Sequence, residues 1–243
     1  MKSLLECQEI HLSQLKKHFK IEKQSDLFKL KYKNSINAIL IRIPFKLDEQ
    51  VASLAGLMPD GSLIKDLRRI YFHQKKDDSK ITLFKDLIIS LFSPNNKIFV
   101  TKDRGTLKSY INSTTLAMFF YKILKIPKSD EQMRVPAWIF NSPKRVKIAY
   151  LREAFAMEGT ILKKLTEIRL ITKDKDFAID LQRLLAQIGI SSFVKPRIGG
   201  IRRTLQYRLS IYGKENFVLF KEIGFSTEFH KGRFERLCSK YGI

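Results

Sequence analysis

The apolar positions of the chain fall into two alternating rhythms. Stretches with apolar residues three and four apart predict helices at roughly 48–58, 81–92, 114–125, 144–157, 176–188, 214–223 and 227–241. Between them, runs with every second residue apolar predict strands near roughly 62–66, 68–74, 97–101 and 106–112, then 160–164, 166–173, 192–197 and 203–211. Gly159 and Gly189 follow two of the helices and read as helix-ending residues. The pattern predicts an α+β fold with antiparallel sheets.

The order of elements then repeats. A displacement of about 98 residues lays LAGLMPDGSL, with Asp60 and Gly61, over LREAFAMEGTI, with Glu158 and Gly159. FHQKKDD falls on LITKDKD, ITLFKDLIISLF on FAIDLQRLLAQIG, and STTLAMFFYKILKI on YGKENFVLFKEIGF. Each copy reads α-β-β-α-β-β-α, so the chain is a duplicated unit with two pseudo-symmetric halves. The predicted organisation is an extension over 1–47, a first repeat over 48–126, a linker over 127–143 and a second repeat over 144–243. The linker, PKSDEQMRVPAWIFNSP, is punctuated by prolines. Residues 1–47 match neither copy, and are an added helix and strand pair or the remnant of another small domain.

Composition narrows the partner. Forty-six Lys and Arg face 24 Asp and Glu in 243 residues, a formal +22 with a pI near 10.0. With 44% hydrophobic residues the chain can bury a core, unlike a disordered basic tail. No apolar run reaches membrane-spanning length, and the N-terminus lacks a signal peptide, which predicts a soluble cytoplasmic protein. Cys7 and Cys238, at opposite ends, make neither a disulfide framework nor a zinc finger. The basic residues run through helices and strands alike, which favours nucleic acid over a membrane surface.

Two acids stand out against this surplus. Asp60 and Glu158 each end the apolar helix of their repeat, immediately before a glycine. A helix C-terminus carries partial negative charge and disfavours a carboxylate there. Ala52, Ala55 and Gly56 on one helix, and Ala154 and Ala156 on the other, are small enough for close approach across a two-fold axis. If the helices meet, the two carboxylates meet as well, and a divalent cation reverses both the dipole cost and the mutual repulsion. Ordinary turn acids before glycine are the alternative; matched positions in both copies favour the paired site.

SLAGLMPDG and LREAFAMEG resemble the two signature helices of the LAGLIDADG homing endonucleases, in the single-chain, two-motif form. The resemblance covers about residues 40–241 and includes VPAWIFNSPKRVKIAYLREAF, the approach to the second motif. It departs from the pattern at Met58 and Ala156, where an earlier acid is absent, and at Pro59, where Ala or Gly is usual. The resemblance implies that Asp60 and Glu158 hold Mg²⁺, or another divalent cation such as Mn²⁺. It implies that the paired helices form the interface between halves, and that two antiparallel sheets make a saddle in the DNA major groove. Gln74, Lys75 and Lys173 look like the residues that position water and offset phosphate charge. The four histidines show no metal-ligand spacing.

Strand alternation sorts the faces of the predicted sheets. Ile70 and Phe72 point toward covering helices, leaving Arg69, Tyr71 and His73 on the open face; Leu107 and Ile111 point inward, leaving Thr106, Lys108 and Tyr110 outward. In the second copy Arg169 takes the place of Tyr71, and Leu205, Tyr207 and Leu209 alternate with outward Thr204, Gln206, Arg208 and Ser210. Arg and Gln on such a ribbon can pair with guanine and adenine edges. The segments 102–105 and 197–203 read as hairpin tips.

With the resemblance, these readings imply a monomeric, metal-dependent endonuclease; family members cut both strands of a long DNA site and leave short 3′ overhangs, which is the expectation here. A catalytically silent RNA maturase or DNA-binding regulator is the alternative, marked by loss of a motif acid; both acids are present. A basic ribosomal or chromatin protein does not account for the duplication. The chain starts at Met1 and ends without intein junction residues, which favours an intron-borne or free-standing protein.

Overall fold

Six short elements precede the first predicted helix: β1 (Glu9–Ile10), α1 (Leu12–Lys16), β2 (Lys20–Gln24), β3 (Leu27–Lys31), β4 (Ala38–Ile41) and β5 (Phe45–Lys46). The structure is a computed structural model that describes residues 7–74, 78–103, 105–199 and 203–243. Strands β2, β3 and β4 form an antiparallel sheet in that order, and β1 pairs with β5. This segment is not an appendage. Leu15, Leu30 and Ile39 are fully buried, and Phe45 packs with Phe92 and Phe119 at ring separations of 5.1–5.7 Å.

The first repeat follows as α2 (Glu49–Leu57), β6 (Gly61–Leu63), β7 (Arg69–Gln74), α3 (Asp78–Phe92), β8 (Ile98–Asp103), β9 (Thr106–Asn112) and α4 (Thr114–Lys122). A short helix α5 (Ala137–Phe140) intervenes. The second repeat is α6 (Lys144–Glu158), β10 (Gly159–Ile161), β11 (Ile168–Thr172), α7 (Lys175–Ala186), β12 (Phe193–Gly199), β13 (Thr204–Ile211) and α8 (Lys214–Ile223), and α9 (Glu228–Tyr241) closes the chain. The two four-stranded antiparallel sheets, β6-β7-β9-β8 and β10-β11-β13-β12, share one strand order, so the duplication extends to topology and the fold is α+β.

Local chemistry sets the helix ends. The Asp48 carboxylate accepts the amides of Gln50 and Val51 and starts α2; the Ser113 hydroxyl accepts that of Leu116 and starts α4. Gly189 adopts φ +89° just past α7, where the Leu185 carbonyl accepts from Ile190, as its predicted capping role requires. Helix α2 ends sooner than the pattern predicts. Pro59 cannot donate to a preceding carbonyl, so the last turn tightens to a 3-10 turn over Met58–Asp60.

Helices α2 and α6 pack directly together. A Cβ on Gly56 would lie 2.5 Å from the Tyr150 carbonyl oxygen and 3.0 Å from Glu153 Cβ. Ala52, Ala55 and Ala154 are buried here, as their size predicts. A buried ion pair crosses the halves under this contact: Lys80 Nζ of α3 lies 2.8 Å from Glu153 of α6, with side chains 3% and 5% exposed. Ser226 also donates to Glu153 at 2.8 Å. The counterpart positions are Ala178 and Ala55, so the duplication does not repeat this pair.

The proline-rich linker is packed rather than free. Arg134 clamps buried Asp180 through Nε at 2.6 Å and Nη2 at 3.1 Å, and the Trp138 indole donates to the Leu124 carbonyl at 3.0 Å. Ser129 donates its amide to Leu63, covering the free edge of β6. Among the described residues, no helix is long and apolar enough to cross a membrane.

Replacing Gly56 with alanine should cost about 1–2 kcal/mol in a urea melt, although alanine favours helix, because overpacking the interhelical contact outweighs about 1 kcal/mol of propensity. An unchanged or higher midpoint would contradict the close contact. Lys80→Met alone should cost about 3–5 kcal/mol by stranding Glu153, and a Lys80→Met/Glu153→Leu double variant should recover most of that.

Candidate active site

The ends of α2 and α6 carry Asp60 and Glu158 to the centre of the molecule. The Gln74 amide connects them: its Nε2 donates to Asp60 Oδ2 at 2.9 Å and lies 3.1 Å from the Met157 sulfur, next to Glu158. Gln74 ends β7, so the sheet of one half reaches the motif helix of the other.

Burial raises both acids. The Asp60 carboxyl is pushed up to about 6 by loss of water, with the Gln74 bond pulling it back. Glu158 is pushed up to about 7, first by burial, then by the charges of Asp60 and Asp174, while Lys173 lowers it. Asp60 and Glu158 therefore share an electrostatic environment although they come from different repeats.

Two clefts reach this pair. The larger, about 870 Å³, contains Asp60, His73, Gln74, Thr106 and the start of α9 from Thr227 to His230. The other, about 310 Å³, contains Glu158, Thr172, Lys173 and Asp174, and is walled by linker residues such as Lys128 and Met133. The duplication relates the clefts, since Asp60, Gln74 and Gly159 in one correspond to Glu158, Thr172 and Gly61 in the other. Their polar chemistry differs. Where Gln74 bonds its acid, Thr172 Oγ1 accepts the backbone amide of Asp174 in a local turn.

The open faces follow the predicted alternation in the first repeat. Ile70, Phe72, Ser109 and Ile111 are buried, while Arg69, Tyr71, His73, Thr106, Lys108 and Tyr110 retain exposure. Arg69 lies 5.1 Å from the Tyr110 ring centre and bonds Asn112 and the Tyr71 hydroxyl; Lys108 stands 4.1 Å over Tyr71. Burial and the Lys108 charge hold His73 below the usual histidine range.

The second sheet departs from simple alternation. Ser210, predicted outward, is buried because its hydroxyl donates to buried Glu167 at 2.6 Å. Arg208 lies 3.7 Å from the same carboxylate, so its charge is partly engaged, and Arg169 pairs across the strands with Ser210. Leu205, predicted inward, is 51% exposed opposite Ile198 at 59%: this end of the hairpin extends past its covering helices. Thr204 is exposed and Gln206 half-buried.

Of the residues singled out by sequence, Asp60, Glu158, Gln74 and Lys173 come together. Lys75 lies outside the described residues, as do Arg104 and residues 200–202 of the predicted hairpin tips. Asp174 and the Thr227–His230 segment join the site without having been predicted. Asp174 carries a signal, one residue beyond Lys173; Thr227–His230 carries none, because α9 has no counterpart in the repeat. Among the described residues, no group of three or more His, Cys, Asp or Glu is arranged to hold a metal.

Residues 145–224, which contain the second motif helix and its sheet, match the LAGLIDADG-like domain family. The fold matches the homing endonuclease I-DmoI, solved in complex with DNA and Mn, at a TM-score of 0.55 and 20% identity, over 75% of this chain and 99% of that one. The chain is a LAGLIDADG family member. Full-length DUF199/WhiA from Thermatoga maritima shares the LAGLIDADG fold at a TM-score of 0.52 and 15% identity, over 82% of this chain and 62% of that one. In sequence, the LAGLIDADG chain is 29% identical over 184 residues to the replication factor C small subunit of Methanocaldococcus jannaschii. That match takes in 74% of this chain and spans 10% of the relative's length. It is also 32% identical over 130 residues to the tRNA-splicing ligase RtcB of Pyrococcus abyssi, covering 46% of this chain and 14% of that protein.

The raised carboxyls make a signed prediction. Both acids hold their protons to higher pH when folded than when unfolded, so the folded chain binds more protons between about pH 4 and 7 and loses stability as pH rises through that window. Asp60→Asn should therefore stabilise the protein at pH 8 by about 1–3 kcal/mol and leave it nearly unchanged at pH 4. Urea melts at the two pH values measure this; equal effects at both would contradict it.

Proposed function

We propose that this LAGLIDADG protein is a site-specific, divalent-metal-dependent endonuclease that cuts both strands of a long asymmetric duplex DNA target and leaves short 3′ overhangs. The observation that carries the proposal is the pairing of Asp60 and Glu158 at helix ends, against burial, helix dipoles and, at Glu158, the charge of Asp60. Two such carboxylates burden a protein that only binds, and serve one that recruits a cation at the scissile phosphates. I-DmoI, of like fold, is a homing endonuclease solved with DNA and Mn, which supports the reading.

The donor set fits magnesium or manganese. Both donors are hard carboxylate oxygens, and Mg²⁺ is commonly held by one or two carboxylates with water and phosphate oxygens completing its shell. When bound, the cation lowers the pKa of water and stabilises the leaving oxygen. The chain's own residues prepare the place. Asp60 and Glu158 would hold the ions, and Gln74 fixes Asp60 by its amide. Lys173 and Lys75 supply positive charge where the phosphate gains negative charge.

The open sheet faces would lie against the duplex. Arg69, Tyr71, His73, Thr106, Lys108, Tyr110, Arg169, Thr204, Gln206 and Arg208 are the contacts we propose. Most would meet phosphate, with Gln206 and the arginines able to pair with base edges. One chain supplies both halves, so a monomer suffices. A silent RNA maturase or regulator has no use for the buried acid pair.

A duplex library incubated with protein and Mg²⁺, with the new ends sequenced, tests this. Cleavage should fall at one long site, and Asp60→Asn or Glu158→Gln should slow it at least about 1,000-fold. Cleavage that survives both substitutions sinks the assignment; tight binding without cutting under several metals favours the silent reading.

A further inference from the structure

The N-terminal sheet carries a basic face that neither repeat contains. The register of β2 with β3 sets Lys20 opposite Lys31 and Glu22 opposite Lys29, so these four residues share one side. Ile21 and the buried Leu30 and Ile39 line the other. Lys20, Glu22, Lys29, Lys31, Lys33 and Asn34 enclose a shallow cleft of about 390 Å³. Its single carboxylate, Glu22, engages Lys29 at 3.4 Å, which leaves the lysine charge in excess. Like charges directly opposite on neighbouring strands destabilise a sheet, and a bound polyanion removes that cost.

The face is latched to the first repeat. Tyr32, between Lys31 and Lys33, donates its amide to Thr115 Oγ1 at 3.1 Å, and Asn37 Nδ2 donates to the Asn112 carbonyl at 2.9 Å. The Asn112 side chain in turn accepts from Arg69, the first residue of the open face of β7. The strands that carry the lysine cleft are therefore fixed to the end of β9 and the start of α4, and through Asn112 to Arg69. Lysines act on phosphate as point charges, and the cleft lining holds no aromatic ring on which an unpaired base could stack.

We propose that this lysine face is a further DNA-binding surface, which holds the phosphate backbone of duplex flanking the segment engaged by the two large sheets. The inference rests on the DNA-binding part of the proposed function. The test is a salt titration of full-length protein on a random-sequence duplex of about 40 base pairs, read by anisotropy. Wild type is compared with a Lys20→Gln/Lys29→Gln/Lys31→Gln variant, and with a Lys214→Gln/Lys221→Gln/Lys240→Gln control that removes equal charge from α8 and α9.

Each lost phosphate contact makes the slope of log affinity against log salt shallower by about 0.9, so the N-terminal variant should lose about 2.7 in slope and about 100-fold in affinity near 0.15 M salt. The control should change slope by less than about one. The N-terminal variant should also melt no lower than wild type, since opposed lysines have been relieved. A wild-type slope in the N-terminal variant, or an equal loss in the control, overturns the inference while leaving wild-type cleavage, and the proposed function, intact. Wild type that binds no duplex overturns both. Loss confined to a single-stranded RNA probe overturns the assignment to duplex DNA.

Discussion

The close contact of α2 and α6 at Gly56 is the constraint on which the rest of the structure depends. With no side chain on Gly56, the helix meets the backbone of α6 at Tyr150, and this proximity leads both helix ends to one place. Two carboxylates at that place are costly, and the cost shows in the raised carboxyls of Asp60 and Glu158. A structure under selection for stability alone would replace either acid. Their retention at matched positions joins the packing of the core to the chemistry proposed for its surface.

The duplication supplies the frame, and departures from it supply the individuality of each half. The Lys80–Glu153 pair, the Arg134–Asp180 clamp and α9 each occur once. Gln74 bonds the first acid, whereas its counterpart Thr172 closes a turn. The linker walls one cleft and α9 the other, so two sites of common descent present different surroundings to whatever enters them.

Much of this was legible in the sequence because it rests on periodicity and on residues whose physics is local. Helix and strand alternation, Gly189 at its cap, the small residues between the motif helices and the paired acids all follow from spacing. The unread parts depend on contacts far apart in the chain. Nothing local in Lys80 or Glu153 indicates that they meet, 73 residues apart, in the interior. Ser210 is predicted outward, yet Glu167, the residue before β11, holds it in a buried hydrogen bond. Residues 7–47 read as an extension because they match neither repeat, while their apolar residues complete the core of the first one.

Two acids from different repeats share one charged environment, the place proposed for a divalent cation. The most direct measurement is the titration of the Glu158 side-chain carboxyl by carbon NMR, in the wild type and in Asp60→Asn, with and without Mg²⁺. Titration near pH 7 is expected in the wild type, with a downward shift when Asp60 is neutralised and a further fall on adding the cation. An ordinary glutamate titration, indifferent to Asp60 and to Mg²⁺, would contradict it.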